Sequence, residues 1–96
     1  MIIVYNPEFL DKLKSIDVRV RKSAKKKLQM FSRNPDEPEL NNHALRDKYA
    51  GCRSIDITAD YRAIYVEKSV VNEEVVVYFF LFGTHKELYG QQVVDK

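Results

Sequence analysis

Two histidines are the side chains of this chain best suited to move protons at neutral pH. His85 follows the apolar run Val75–Phe82 after two intervening residues, and His43 lies beside another turn-like segment. An imidazole ionises near neutrality and can therefore both accept and donate a proton. A histidine next to a regular strand is held more firmly than one on a loose loop. The pattern favours general acid–base chemistry at His85, with His43 as a second candidate.

A few other polar residues could contribute to such a site. Asp60, which closes the turn-like segment Thr58-Ala59-Asp60, could orient a histidine or an RNA group, or only stabilise the turn. Arg53 and Arg62 could bind a phosphate through their guanidinium groups, or only be solvated at a strand edge. Tyr89 could stack on a nucleobase, or pack against the helices.

The cysteine and histidine content argues against a metal centre. Two histidines with scattered carboxylates could bind zinc, but no pair has the spacing of a ligand pair on one helix face. The single cysteine, Cys52, excludes an internal disulfide and a multi-cysteine metal site. We therefore expect no metal and no other cofactor.

Positive charge is concentrated in the first third of the chain. The net charge is +2, but Met1–Arg33 holds nine Lys or Arg against three Asp or Glu, and the rest holds seven against eleven. Between Asp17 and Arg33 there are seven cations and one acid, which is either a solvated helix face or a surface for RNA. The RNA interpretation places contacts at Lys22, Lys25 and Lys26.

Length and composition predict one small cytoplasmic domain. Ninety-six residues, 45% of them hydrophobic, suit a single domain over residues 1–96 with a modest core. The start of the chain has no cationic segment followed by a long apolar stretch, so we expect no signal peptide. No segment reaches the roughly 18 apolar residues of a membrane span, so no membrane contact is expected.

The first half of the chain predicts a strand and a helix hairpin. Ile2–Tyr5 is a short β-type run. Asn6 and Pro7 suit the cap and first residue of a helix with Phe9, Leu10, Leu13 and Ile16 on one face. A second helix begins near Asp17, carries an apolar stripe of Val20, Ala24, Leu28 and Phe31, and stops at Asn34-Pro35.

The second half predicts three strands joined by short turns. Arg53–Thr58 alternates, with the isoleucines inward and Asp56 outward, and Tyr61–Glu67 is the next strand. Val75–Phe82 is an uninterrupted apolar run, which predicts a strand covered on both faces, and Gly83 permits a sharp exit into a helical turn near Lys86–Tyr89. The fold class is therefore α+β: an N-terminal strand, a helix hairpin and an antiparallel three-stranded meander. The helices cover one sheet face, and the other face, with Asp56 and Arg62, is partly open.

Four ordered segments of this sequence resemble the RelE/ParE toxin superfamily of bacterial type II toxin–antitoxin systems, and are most similar to its YafQ-type branch. They are Asn42–Leu45, Gly51–Ile57, Asp60–Tyr65 and Gly83–Tyr89. The resemblance implies a RelE-like fold and a metal-independent, ribosome-dependent mRNA endonuclease that cuts in the A site. Cleavage would proceed by attack of the 2′-hydroxyl on the adjacent phosphate, and a cognate antitoxin would neutralise the toxin.

The resemblance also implies roles for single residues. His85 and His43 match histidines of the family, His85 matching its general acid or base, while Asp60 matches its acidic turn residue. Arg62 matches a phosphate-binding arginine, and Tyr89 a C-terminal aromatic position. The expected RNA contacts are Arg62, Arg53, Tyr89, Lys86, Lys22, Lys25 and Lys26.

One position departs from the family pattern. Asp56 stands where YafQ-type members have a histidine and RelE-type members a lysine. A carboxylate cannot supply a positive charge to the transition state, but it could act as a base, or mark weakened chemistry. Arg53 could supply the missing cation, although strand alternation puts it on the opposite face. Two alternatives stay open: a ParE-type toxin that inhibits DNA gyrase by binding, which needs no general acid, and an inactive relative.

Overall fold

The computed structural model describes residues 1–90, without the side chains of residues 69–71. Its elements, in chain order, are β1 (Ile2–Tyr5), α1 (Pro7–Ser15), α2 (Val18–Arg33), a 3₁₀ helix (Pro38–Leu40), β2 (His43–Ala44), a second 3₁₀ helix (Asp47–Tyr49), β3 (Arg53–Asp56), β4 (Tyr61–Val71), β5 (Glu74–Thr84) and α3 (His85–Tyr89). The α+β fold class is confirmed. The sequence also predicts a polar tail after the last helical turn, and residues 91–96 of that tail lie outside the described residues.

Both long helices begin where their capping residues predict, but α1 ends at Ser15, so the predicted helical residue Ile16 lies just beyond it in an extended conformation. The Asn6 side chain accepts a hydrogen bond of 2.7 Å from the backbone N–H of Glu8, and Pro7 is the first helical residue of α1. The Asp17 side chain accepts from the backbone N–H of Arg19 at the start of α2. Helix α2 ends directly before Asn34-Pro35, as predicted.

The strands form one five-stranded sheet in the order β1-β5-β4-β3-β2. The meander β3–β4–β5 is antiparallel, as predicted, while β1 pairs with β5 in parallel. Strand β2 was not predicted, because two residues are too few to show a period. Strands β4 and β5 are longer than predicted and meet at a tight turn, where Asn72 and Glu73 have φ angles of 51° and 67°.

The core lies between the helices and one face of the sheet. Phe79 is fully buried at its centre, with ring centroids 5.1–5.7 Å from the rings of Tyr5, Phe9, Phe31 and Tyr65. The prediction that β5 is covered on both faces was wrong. The side chains alternate along β5, so that Val77 and Phe79 are buried while Tyr78 and Phe80 are half-exposed.

Gly83 has a different role from the predicted sharp exit. The chain stays in β5 through Gly83 and its φ angle is not in the left-handed region. A Cβ atom there would lie 2.9 Å from Glu87 Oε1 and 3.1 Å from Lys12 Nζ. The glycine therefore leaves room for the Lys12–Glu87 ion pair to lie against the strand. None of the helices within residues 1–90 has the length and apolar character needed to cross a membrane.

Candidate active site

Four polar residues project from the sheet face opposite the helices, which we call the open face. Residues paired directly across neighbouring strands point to the same side of a sheet. His43 pairs with Ser54 across β2 and β3, and Asp56 pairs with Arg62 across β3 and β4. Ser54 and Asp56 are two residues apart on β3, so all four side chains share this face.

The His43 ring is held in one tautomer. Its Nδ1 lies 2.7 Å from the backbone carbonyl oxygen of Asn41. A carbonyl oxygen can only accept a hydrogen bond, so Nδ1 carries the proton and the neutral ring has its lone pair on Nε2. Because His43 is exposed, Nε2 is available to take a proton from a ligand on the open face. Asn41 reaches this geometry with a left-handed backbone, φ 48°, which asparagine tolerates well.

Asp56 forms an ion pair with Arg62 on the open face. Arg62 Nε lies 3.0 Å from Asp56 Oδ1, and the two side chains are 20% and 26% exposed. The N–H is not aligned with Oδ1, which has no hydrogen-bond partner within the described part of the chain. The other oxygen, Oδ2, accepts a long hydrogen bond of 3.4 Å from the Asn41 side chain. Asn41 thus contacts both His43 and the Asp56–Arg62 pair.

Arg62 also holds the turn between β3 and β4. Its Nη1 donates to the carbonyl oxygens of Thr58, Ala59 and Tyr61 at 3.0, 3.1 and 3.2 Å. No hydrogen bond from Nη2 is found among residues 1–90. Three contacts from one nitrogen fix the guanidinium, and its Nε–Nη2 edge makes no aligned hydrogen bond within residues 1–90.

Asp60 does not stabilise its turn through its side chain, contrary to the simpler interpretation of the sequence. The Thr58 hydroxyl does so, accepting from the backbone N–H groups of Asp60 and Tyr61 at 3.2 and 3.0 Å. The Asp60 side chain is exposed, and its carbonyl oxygen accepts a 3.0 Å hydrogen bond from the backbone N–H of His85. The turn and the start of α3 are thereby joined.

His85 is the first residue of α3 and is exposed rather than buried in the core. Thr84 and Glu87 form a capping box before and after it, with bonds of 3.0 and 2.8 Å. The backbone N–H of Thr84, and then Lys12, hold the pKa of Glu87 below its ordinary value, so this carboxylate is ionised at neutral pH. The His85 ring lies 4.6 Å from the Tyr89 ring one turn later.

Tyr89 brings α3 to the open face. Its phenol lies near Ser54, Tyr49 and Arg62, and burial raises its pKa above the ordinary value. Ser54 and Arg62 lower that pKa and Tyr49 raises it, with burial the largest effect. The Ser54 hydroxyl is fully buried, and its contact with Tyr89 lacks the geometry of a good hydrogen bond. Tyr89 is therefore a neutral phenol at neutral pH, able to donate a hydrogen bond or to stack.

Tyr49 positions α3, and nothing in the sequence pointed to it. It ends the second 3₁₀ helix, in the loop between β2 and β3. Its hydroxyl donates a 2.8 Å hydrogen bond to the carbonyl oxygen of Leu88, and its ring meets the Tyr89 ring edge to face at 5.5 Å. A five-residue helix is too short to be stable alone, so these contacts hold α3 in place together with its capping box.

Replacing Tyr49 with phenylalanine should loosen α3 without unfolding the domain. The substitution keeps the aromatic contact with Tyr89 and removes the hydrogen bond to Leu88, which should cost about 1 kcal/mol. Hydrogen exchange measured by NMR should show faster exchange for the α3 amides and unchanged exchange in the core strands. Unchanged α3 protection would contradict the positioning role.

The remaining candidates for RNA contact lie on different surfaces. Arg53 is on the helix-covered side, as strand alternation predicted, pairing with Tyr65 and donating from Nε to Asn42 Oδ1 at 2.8 Å. It does not replace the missing cation near Asp56. Exposed Lys86 lies on α3 beside His85. Helix α2 packs on the opposite side of the sheet from the open face, and three exposed lysines lie on it: Lys22, Lys25 and Lys26.

Within residues 1–90 no three His, Cys, Asp or Glu side chains are grouped as metal ligands. The open face offers an imidazole acceptor at His43, a guanidinium at Arg62 and a neutral phenol at Tyr89. The exposed imidazole of His85 lies against the Tyr89 ring. These groups can move protons and bind a phosphate or a base.

A family model and several solved structures match this chain. The family model described as the ParE toxin of the type II toxin–antitoxin system parDE matches residues 3–89. The chain is similar to the YoeB/ParE toxin from Agrobacterium tumefaciens, with a TM-score of 0.70 and 20% identity over 88% of this chain and 99% of that one. It is also similar to YafQ from E. coli strain BL21(DE3), with a TM-score of 0.70 and 22% identity over 92% and 97%.

A third similar structure comes from the intact E. coli RelBE toxin–antitoxin complex, with a TM-score of 0.60 and 23% identity over 86% of this chain and 94% of that one. No curated protein matches this chain. Because these three structures are only 20–23% identical to this chain, their similarity shows a shared fold.

Proposed function

Because this chain belongs to the ParE toxin family of type II toxin–antitoxin systems, within the RelE/ParE superfamily, we propose that it is a ribosome-dependent mRNA endonuclease neutralised by a cognate antitoxin. The observation that carries the proposal is His43, whose Nδ1–H is fixed on the Asn41 carbonyl while Nε2 is free on the open face. A toxin that acts by binding alone has no need of an imidazole oriented in this way.

The proposed reaction is cleavage by transesterification. His43 Nε2 takes the proton of the 2′-hydroxyl, whose oxygen forms a bond to the adjacent phosphorus. The bond from phosphorus to the 5′-oxygen breaks, and His85 in its protonated form gives that oxygen a proton. The products are a 2′,3′-cyclic phosphate and a 5′-hydroxyl end. Each proton transfer is worth about 10²- to 10⁴-fold in rate.

The other residues of the open face bind and orient the substrate. Arg62 interacts with the phosphate, whose charge grows in the transition state. Tyr89 stacks on a base or donates its hydroxyl hydrogen. Asp60 lies beside His85, since its carbonyl oxygen accepts the His85 backbone N–H.

Dependence on the ribosome follows from the exposure of this site. His43 and His85 both lie in the open, so the protein alone does little to align a flexible RNA strand. The ribosomal A site would supply that alignment. The lysines of α2 lie on the far side of the sheet, where they would contact ribosomal RNA rather than the scissile phosphate.

A second candidate function has two observations in its favour. The matching family model is that of ParE toxins, and Arg62 on the open face is paired with Asp56. A toxin that inhibits DNA gyrase by binding would tolerate such a pair, since it has no transition-state charge to neutralise.

A cleavage assay and a supercoiling assay run in parallel separate the two functions. The purified protein is added to a reconstituted translation system, and primer extension maps cuts in the translated mRNA. We expect cuts at A-site codons and unchanged gyrase activity in the same preparation. Uncut mRNA together with inhibited supercoiling would support the gyrase function and overturn the nuclease proposal.

A further inference from the structure

We propose that Asp56 is an internal competitor for the substrate phosphate, because its carboxylate lies against the guanidinium of Arg62 that a phosphodiester would bind. This inference rests on the proposed function, because it concerns the same site and the same class of ligand. It gives Asp56 a role opposite to that of a general base: its carboxylate lowers the affinity of the free protein for RNA, and the substrate must displace it.

The geometry of Arg62 carries the first step. Its Nη1 is occupied by three backbone carbonyl oxygens, which fixes the guanidinium plane. The Nε–Nη2 edge is then the one that can bind a carboxylate or a phosphate with two parallel hydrogen bonds. Asp56 Oδ1 lies 3.0 Å from Nε but out of line with its N–H, so it neutralises the guanidinium without bonding that edge.

The second step is that Asp56 is poorly hydrogen-bonded beside Arg62. Oδ1 has no aligned hydrogen bond within the described residues, and Oδ2 has only the 3.4 Å bond from Asn41. A carboxylate with so few good bonds is weakly held. A phosphate oxygen aligned with Nε and Nη2 would bind Arg62 better than this carboxylate does.

The third step concerns charge. A carboxylate 3.0 Å from the guanidinium cancels the positive charge of Arg62 and repels an approaching phosphate. Asparagine at position 56 would keep the size of the side chain and an oxygen for the Asn41 bond, and would remove the negative charge. Arg62 would remain fixed by its three carbonyl contacts.

The test measures RNA binding without cleavage. The probe is a 2′-O-methyl oligoribonucleotide, which lacks the attacking hydroxyl, and binding to the full-length protein is followed by fluorescence anisotropy over a series of KCl concentrations. Asp56→Asn should bind about 3- to 10-fold more tightly than wild type. The slope of log affinity against log salt should steepen by about 0.7, the value for one further phosphate contact on a single strand.

Two matched variants make the result specific. Asp11→Asn makes the same change in net charge at an exposed position of α1, across the sheet from the open face. It should raise the RNA affinity much less than Asp56→Asn does. In the double variant Asp56→Asn/Arg62→Gln the gain should disappear. Asp56→Ser is a second neutral variant in case Asp56→Asn does not fold, as judged by circular dichroism. A gain no larger than that of Asp11→Asn in a folded Asp56 variant would overturn the proposal.

Cleavage of translated mRNA by the same variants separates this inference from the function it rests on. Faster cleavage by Asp56→Asn at low substrate concentration supports the competitor role. Loss of cleavage with unchanged RNA affinity overturns it and makes Asp56 a base. If neither wild type nor any variant cleaves RNA, but Asp56→Asn still binds the oligonucleotide more tightly in a way that depends on Arg62, the nuclease function fails and the competitor role stands.

Discussion

Replacing His43 with glutamine should slow single-turnover cleavage of mRNA on programmed ribosomes by about 10²- to 10⁴-fold. Glutamine is polar and close in size, and His43 is exposed at the edge of the sheet, so the fold should be retained. The variant lacks the Nε2 lone pair that the Asn41 carbonyl orients toward the open face. The rate is measured by quenching the reaction and separating end-labelled fragments.

The mechanistic control for His43 is chemical rescue. His43→Ala leaves a space at the edge of the open face, and added imidazole should restore part of the lost rate in a concentration-dependent way. In wild type the cleavage rate should fall at low pH, where the base becomes protonated. This fall should be absent in His43→Gln. A His43→Gln rate within about threefold of wild type would contradict the assignment of His43 as the base.

Replacing His85 with glutamine should also slow cleavage by about 10²- to 10⁴-fold, through the leaving group rather than the nucleophile. His85 begins α3, where the capping box of Thr84 and Glu87 and the backbone bond to Asp60 hold it. None of these contacts uses the imidazole, whose own contact is with the Tyr89 ring, so the variant should stay folded with only a small change in melting temperature.

A modified substrate separates the acid from the base. An mRNA with sulfur in place of the 5′-bridging oxygen at the cleaved linkage has a leaving group that departs without protonation. On this substrate His85→Gln should cleave at nearly the wild-type rate, whereas His43→Gln should remain slow. Equal defects of both variants on both substrates would rule out the division of roles between the two histidines.

The elements of this fold were predictable because their signals are local. Asn6 and Asp17 cap their helices through their own side chains, and Asn34-Pro35 ends α2 through sterics. Strand β2 was not predictable in this way, since His43 and Ala44 form a strand only by pairing with β3. The role of Gly83 was misread because the groups that need the space, Lys12 and Glu87, come from two other elements.

The candidate site was predicted in its residue types but not in its connections. Alternation placed Asp56 and Arg62 on one face, but the ion pair between them depends on the register across the turn, which alternation alone does not fix. Pairing the residues on either side of the turn Thr58-Ala59-Asp60 would have placed Asp56 near Arg62. The tautomer of His43 depends on the left-handed backbone of Asn41, and Tyr49 contacts α3 from a loop that has no pattern.

The chemistry of the cut ends tests the nuclease proposal most directly. Fragments released from translated mRNA by the wild-type protein are isolated and their termini are identified by mass spectrometry. Base and acid catalysis by two imidazoles predicts a 2′,3′-cyclic phosphate on the upstream fragment and a 5′-hydroxyl on the downstream fragment. A 5′-phosphate on the downstream fragment, or intact mRNA under conditions of full ribosome occupancy, would contradict it.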